Sequence, residues 1–147
     1  WALEPDLKNF RKLQAAAGEL PRVHLVPKGS YSGEGEQIFS ARGGRNSALA
    51  ESGKKLRPVE MTSVDALLQG KPVDYIKMDV EGAERETLLG CRQTIAAWKP
   101  QLSVAAYHRT GDLWELPLLV KELCPEYRLY LRRHKYVPAW EILLYAI

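Results

Sequence analysis

Cysteine is scarce in this sequence: Cys91 and Cys124 are the two in 147 residues, and they form no CxxC pair. That spacing excludes the usual zinc-knuckle and dithiol redox motifs. Cys91 shares a helical face with Leu88 and Ile95, so buried, reduced thiols and a cytoplasmic location are expected. No apolar run approaches the ~20 residues of a membrane-spanning helix, and the first residues do not form a signal peptide. Neither charge sign dominates: the net charge is +3, too small to argue for a nucleic-acid partner. Repeats and low-complexity segments are absent, as is the GxGxxG turn of dinucleotide binders. What is present, 46% apolar and 27% charged residues, is the composition of one globular domain over residues 1–147 with a single core.

The rest of the chain is organised around Val73 to Glu84, VDYIKMDVEGAE. Val73, Tyr75, Ile76, Met78 and Val80 make a short apolar run of the kind expected for a strand buried on both faces. It delivers Asp79 and Glu81 to its carboxyl end, Gly82 permits a tight turn, and Ala83 to Glu86 opens a helix. In an open α/β sheet, ligands bind at that end of a central strand. The same acidic residues would also suit the positive end of a helix dipole without any ligand.

Before this stretch, Trp1 to Leu3 reads as the tail of a strand, with no methionine and no element ahead of it, so the chain is expected to be a fragment. Pro5 opens a helix with Leu7, Phe10, Leu13 and Ala17 on one stripe, and Gly18 stops it. Val23 to Val26 is a second strand, completing a βαβ unit with Glu4 at its crossover. Gln37 to Ser40 is a hairpin strand. Ala41 to Lys55 reads as a mobile loop whose Arg42, Arg45, Lys54 and Lys55 either steer an anion or are simply solvated. Arg57 to Met61 is a strand, and Thr62 with Asp65 caps a short helix over Val64 to Gln69.

After it, Leu88, Cys91, Ile95 and Trp98 mark the buried face of one helix ended by Pro100. Gln101 to Tyr107 is a strand leading to His108 and Arg109. The next helix starts either at Asp112 or at Pro117, with Leu116, Leu119, Val120 and Leu123 inward, and Pro125 closes it. Two strands around a loop, Tyr127 to Arg132 and Trp140 to Ile147, finish the chain as an antiparallel hairpin. The alternation predicts an α/β fold: a Rossmann-like, mostly parallel sheet with helices on both faces and one reversed strand at or near an edge.

The segments LEPD (Leu3 to Asp6), VPKGSYSGEG (Val26 to Gly35), IKMDVEGAE (Ile76 to Glu84), AYH (Ala106 to His108), DLWELP (Asp112 to Pro117) and EILLYAI (Glu141 to Ile147) resemble, in the same order, those of the FkbM family. That family has the class I methyltransferase fold and methylates hydroxyl groups with S-adenosylmethionine. Its strand and D-x-G-x-x-x-G turn, which wrap the methionine end of the cofactor, have no counterpart here. The resemblance therefore implies an N-terminally truncated fold that binds the cofactor weakly and is inactive by itself. Without that strand, unpaired sheet edges beside Leu3 and Ile76 should drive dimerisation, strand exchange or direct pairing of these two strands.

Residue by residue, the resemblance implies that Glu4 accepts hydrogen bonds from the ribose hydroxyls. Ser30 and Tyr31 lie in the adenine-side turn, and Asp79 stands beside the transferring methyl and the acceptor. Asp79 or His108 would take the acceptor's proton, His108 being better matched to neutral pH. A divalent cation held by Asp79, Glu81, Glu84 and His108 is a further option, but their spacing is no metal signature and no metal ligand is assigned. The expected function is O-methylation of a small molecule or carbohydrate, with no nucleic-acid or membrane partner. The alternative is a non-catalytic, degenerate methyltransferase fold used for binding or assembly.

Overall fold

The structure is a computed structural model that describes residues 1–40, 48–49, 56–133 and 141–147. At its start, β1 (Ala2–Leu3) leads through α1 (Leu7–Ala17) to β2 (Leu25–Val26), and the two strands pair in parallel, as the βαβ reading requires. Asp6, rather than Pro5, sets the helix start: its carboxylate accepts from the amides of Lys8 and Asn9. The stripe of Leu7, Phe10, Leu13 and Ala17 is formed, yet no α1 residue is buried and Leu7 is exposed. A two-stranded sheet offers too little surface to cover it.

A second sheet has the order β3 (Gly29–Ser30), β6 (Leu56–Thr62), β4 (Gly35–Ser40), β5 (Ala48–Leu49). β4 runs antiparallel to β6 as the hairpin reading expects, and β3 runs parallel to it. The two-residue β5 falls within the segment read as a loop, whereas Arg42, Arg45, Lys54 and Lys55 lie outside the described residues.

After α2 (Val64–Leu68), the third sheet holds the core. Its order is β7 (Tyr75–Met78), β8 (Gln101–Ala105), β10 (Ile142–Ala146), β9 (Leu129–Arg133). β10 is antiparallel to both neighbours and β7 is parallel to β8, so three strands share one direction and the reversed strand sits one in from the edge. The helix expected to run through to Trp98 is broken into α3 (Glu84–Leu89) and α4 (Arg92–Trp98). Leu88, Cys91 and Ile95 are fully buried, but Trp98 is 45% exposed, so its place on the buried face is corrected. The break lets Gly90 lie against the Tyr31 carbonyl, where a β-carbon would collide. It also gives α4 its own start, capped from a distance: Asp65 accepts from the amides of Gln93 and Thr94 at 2.9 and 2.8 Å. Asp65 therefore does not cap α2, whose N-cap is Ser63, one residue past the expected Thr62.

α5 (Asp112–Leu123) takes the earlier of the two starts and carries Pro117 inside it, at the cost of one backbone hydrogen bond. Leu116, Leu119 and Val120 face the core with Val104 and Leu144. Among the described residues, no helix is long and apolar enough to cross a membrane.

β7 does not have two covered faces: Tyr75 and Lys77 are exposed, and Met78 is its buried residue. The reason is topological. β7 is the edge of its sheet, and β1 is hydrogen-bonded to β2 alone. Direct pairing of the Leu3 and Ile76 strands is not formed. A cavity of about 490 Å³ is lined by residues of both, with Leu3, Ser30, Ile76, Met78, Asp79 and Thr87 among its walls.

Both cysteines are free and buried, in agreement with the sequence reading. Burial, with a smaller push from the Asp65 charge, raises the Cys91 thiol far above its ordinary range. Thiolate is the reactive form, so Cys91 should resist iodoacetamide in the native protein and react once urea unfolds it. Rapid native alkylation, read by peptide mass spectrometry, would contradict this packing.

Candidate active site

β7 and β8 are parallel, so the segments following them emerge at the same end of the sheet. Asp79, Val80, Glu81 and Gly82 follow β7; Tyr107 and His108 follow β8. The first turn is tight. Glu81 has φ +54° and Gly82 φ +97°, a left-handed conformation that costs a non-glycine residue of order 1 kcal/mol or more. This turn brings the Glu81 carboxylate back over the strand end, with Oε2 3.4 Å from His108 Nε2.

Glu84 closes the turn from inside. It is 1% exposed, and its Oε1 accepts from the Val80 amide at 3.0 Å and lies 2.8 Å from His108 Nδ1. With Nδ1 donating to Glu84, the imidazole presents Nε2 to Glu81 and to Asp79, whose Oδ1 is 3.6 Å away. Tyr107 donates its hydroxyl to the same Asp79 oxygen at 3.1 Å, and its ring packs on the imidazole at 4.3 Å. Asp112 is buried below, accepting from the Arg109 amide at 2.7 Å. Asp79, Glu81 and Glu84 are therefore more than helix-start residues, because two of them face the imidazole and the third anchors it.

The electrostatics follow from crowding. For His108, burial favours the neutral ring, but the Glu84 hydrogen bond and the charges of Glu84, Glu81 and Asp79 outweigh it and raise the pKa. Burial raises Glu81, with His108 opposing and the Asp79 and Glu84 charges adding. Tyr107 is raised by burial and then by the Asp79 charge and hydrogen bond.

The structure thus brings Asp79 and His108 together, as the sequence reading requires, and sets Ser30 and Asp79 around the same cavity. Ser30 is held there by α3, since Thr87 Oγ1 donates to the Ser30 carbonyl at 3.1 Å. Glu4 directly follows cavity-lining Leu3, but neither it nor His108 lines the cavity itself. Its Oε1 accepts from the Asp6 amide at 2.8 Å, leaving Oε2 for a ligand. Burial raises the Glu4 pKa, the Asp6 amide pulls it back, and the Asp6 charge adds to the rise. Tyr31 packs on Val59 and Met61 in the second sheet. Tyr107 and the anchoring role of Glu84 were not assigned from sequence. Tyr107 sits inside the AYH segment, whose adjacency to His108 was the available signal.

A nucleoside cofactor fits this surface on one structural ground. Ser30 lines a cavity whose volume is in the ~300–1,000 Å³ range of small-molecule sites, and its Oγ is buried without a partner. A buried hydroxyl of this kind is expected to find a partner, and a ligand would supply one.

Residues 1–138 match the methyltransferase FkbM domain. A crystal structure of methyltransferase FkbM from Methylobacillus flagellatus KT is similar, with a TM-score of 0.78 and 26% identity, covering 100% of this chain. The chain spans 36% of that protein's length. No curated protein matches it.

Proposed function

The chain belongs to the methyltransferase FkbM domain family, and from that premise we propose that it is the acceptor-activating part of an S-adenosylmethionine-dependent O-methyltransferase. The observation that carries this reading is the cluster at the ends of β7 and β8. An imidazole anchored through Nδ1 presents Nε2 to two carboxylates, one of which, Asp79, lines a cavity together with Ser30. The cofactor supplies, when bound, a methyl group on a positively charged sulfur, open to in-line displacement by an oxygen.

Glu4 would accept from the ribose hydroxyls through its free oxygen, and Ser30 Oγ would gain its missing partner. Asp79, Glu81 and His108 would align the acceptor hydroxyl and draw off its proton as the new C–O bond forms. Alignment supplies much of the rate in a displacement of this kind. The acceptor is a small molecule or carbohydrate.

The test uses the chain carrying a D-x-G-x-x-x-G strand and turn ahead of Trp1, incubated with labelled S-adenosylmethionine and a panel of polyhydroxylated acceptors. Label in an ether product supports the reading. Absence of both transfer and cofactor binding favours the non-catalytic binding module. In the same protein, Glu4→Ala should raise the cofactor dissociation constant by roughly 5- to 150-fold, as loss of a charged hydrogen-bond acceptor costs about 1–3 kcal/mol. An unchanged constant would remove Glu4 from the ribose site.

A further inference from the structure

We propose that buried Glu84 is a positioning residue for acceptor activation: it holds a proton on His108 Nδ1 and so keeps Nε2 bare as the atom that receives the acceptor's proton. This deepens the methyltransferase reading and rests on it for the step served, though not for the pairing itself.

The two ring nitrogens meet unequal partners. Glu84 is 1% exposed, and its ion pair is with His108. Its Oε1 accepts from the Val80 amide at 3.0 Å and meets His108 Nδ1 at 2.8 Å. Its Oε2 is buried with no hydrogen-bond partner, so the carboxylate is satisfied through one oxygen. A buried carboxylate is costly without such donors, and this cost holds the imidazole N–H at Nδ1. Nε2, by contrast, faces Glu81 and Asp79 at 3.4 and 3.6 Å, beyond the usual N–H···O range of ~2.7–3.2 Å. Those two side chains are 37% and 40% exposed, so water weakens their hold. When the imidazolium gives up one proton, it therefore leaves from Nε2.

The other polar groups around the ring do not compete for Nδ1. Tyr107 packs on the imidazole but donates its hydroxyl to Asp79. Asp112, on α5, senses the His108 charge yet accepts from the Arg109 amide, and the Arg109 side chain lies against Gly82. Burial of the ring favours its neutral form, but the Glu84 hydrogen bond and charge, then the Glu81 and Asp79 charges, outweigh it and make His108 more basic.

In the transfer, the acceptor O–H bond breaks and its proton goes to Nε2. The oxygen's electron pair forms the new bond to the methyl carbon of S-adenosylmethionine, and the carbon–sulfur bond breaks with its pair left on sulfur. His108 becomes an imidazolium whose Nδ1–H still points at a buried carboxylate. A carboxylate placed in this way fixes the tautomer of a catalytic histidine and stabilises its charged form.

Nitrogen-15 NMR of the 147-residue chain, in buffer containing a chelator, tests the assignment without any methyl transfer. The His108 signals are identified by their loss in His108→Gln. Above its pKa, His108 is expected to carry its proton on Nδ1; a proton on Nε2 overturns the proposal, and this arm needs no Glu84 variant that might misfold. Glu84→Gln removes the charge but keeps an oxygen for the Val80 amide, so the His108 titration should move to lower pH. Glu86→Gln, the same charge change beside Arg85 and outside the cluster, should leave it in place. Equal titration in the parent and a folded Glu84→Gln also overturns the proposal. In the chain carrying the glycine-rich segment, transfer needs neutral His108 and falls as pH drops through its raised pKa. Glu84→Gln should shift that acid limb to lower pH, which a merely structural loss would not do. Glu84→Ala, losing orientation as well, should approach the about 10²–10⁴-fold loss expected for removing the base. An acid limb unmoved in Glu84→Gln removes Glu84 from the step. The Nδ1–H tautomer and shifted titration without transfer to any acceptor would sink the O-methyltransferase reading and keep the Glu84–His108 pairing.

Discussion

His108→Ala should lower methyl transfer by about 10²–10⁴-fold, the usual scale for removing a group that moves a proton in the transition state. Cofactor affinity should change little. The separation follows from geometry: His108 meets Asp79, Glu81 and Glu84, while the ribose contact is assigned to Glu4, at the end of a different strand. Single-turnover transfer measured beside cofactor titration, in the chain carrying the glycine-rich segment, resolves the two effects. Normal turnover in His108→Ala would place activation of the acceptor elsewhere. A matched rise in the cofactor dissociation constant would move His108 into the cofactor site.

Leu88→Ala should cost about 2–5 kcal/mol of folding stability, the range for emptying a well-packed leucine site. Leu88 is 0% exposed and packs in the cluster that includes Met78, Val104 and Leu116. It lies one helical turn after Glu84, so its burial seats the start of α3 against the sheet and helps hold the Glu84 carboxylate under His108. Leu118→Ala is the control. Leu118 is 68% exposed, and its loss should change stability by no more than about 0.5 kcal/mol. Urea unfolding of the two variants beside the parent gives both numbers. A Leu88→Ala midpoint equal to that of Leu118→Ala would contradict the core as described.

Much of this architecture is legible in the residues themselves, because local chemistry punctuates the chain. Pro100 and Pro125 bound their elements, Gly18 ends α1, and the apolar runs at Ile76 and Leu102 place two strands whose carboxyl ends carry Asp79 and His108. Alternation of strands and helices ending in a hairpin predicts the reversed β10, since a short connection can only join antiparallel strands. Those inferences need no knowledge of what lies across space.

Where a side chain's partner is distant in sequence, local pattern has no access to it. Asp65 looks like a cap for its own helix, but it caps α4, whose amides lie 28 and 29 residues away. Trp98 continues an apolar stripe, but the chain breaks at Gly90 to admit the Tyr31 carbonyl, and Trp98 is left 45% exposed, its indole N–H donating to the Gly70 carbonyl. The run through Tyr75 reads as a strand covered on both sides, but coverage belongs to neighbouring strands, and β7 has one. The same limit governs the site. Sequence alone determined that Asp79, Glu81, Glu84 and His108 stand near strand ends. Only the parallel register of β7 with β8, and the left-handed turn at Glu81, decided that Glu84 is buried under the imidazole while Asp79 and Glu81 face its other nitrogen. These contacts span 24 or more residues, and bonds of that range form only when the sheet brings its strand ends together.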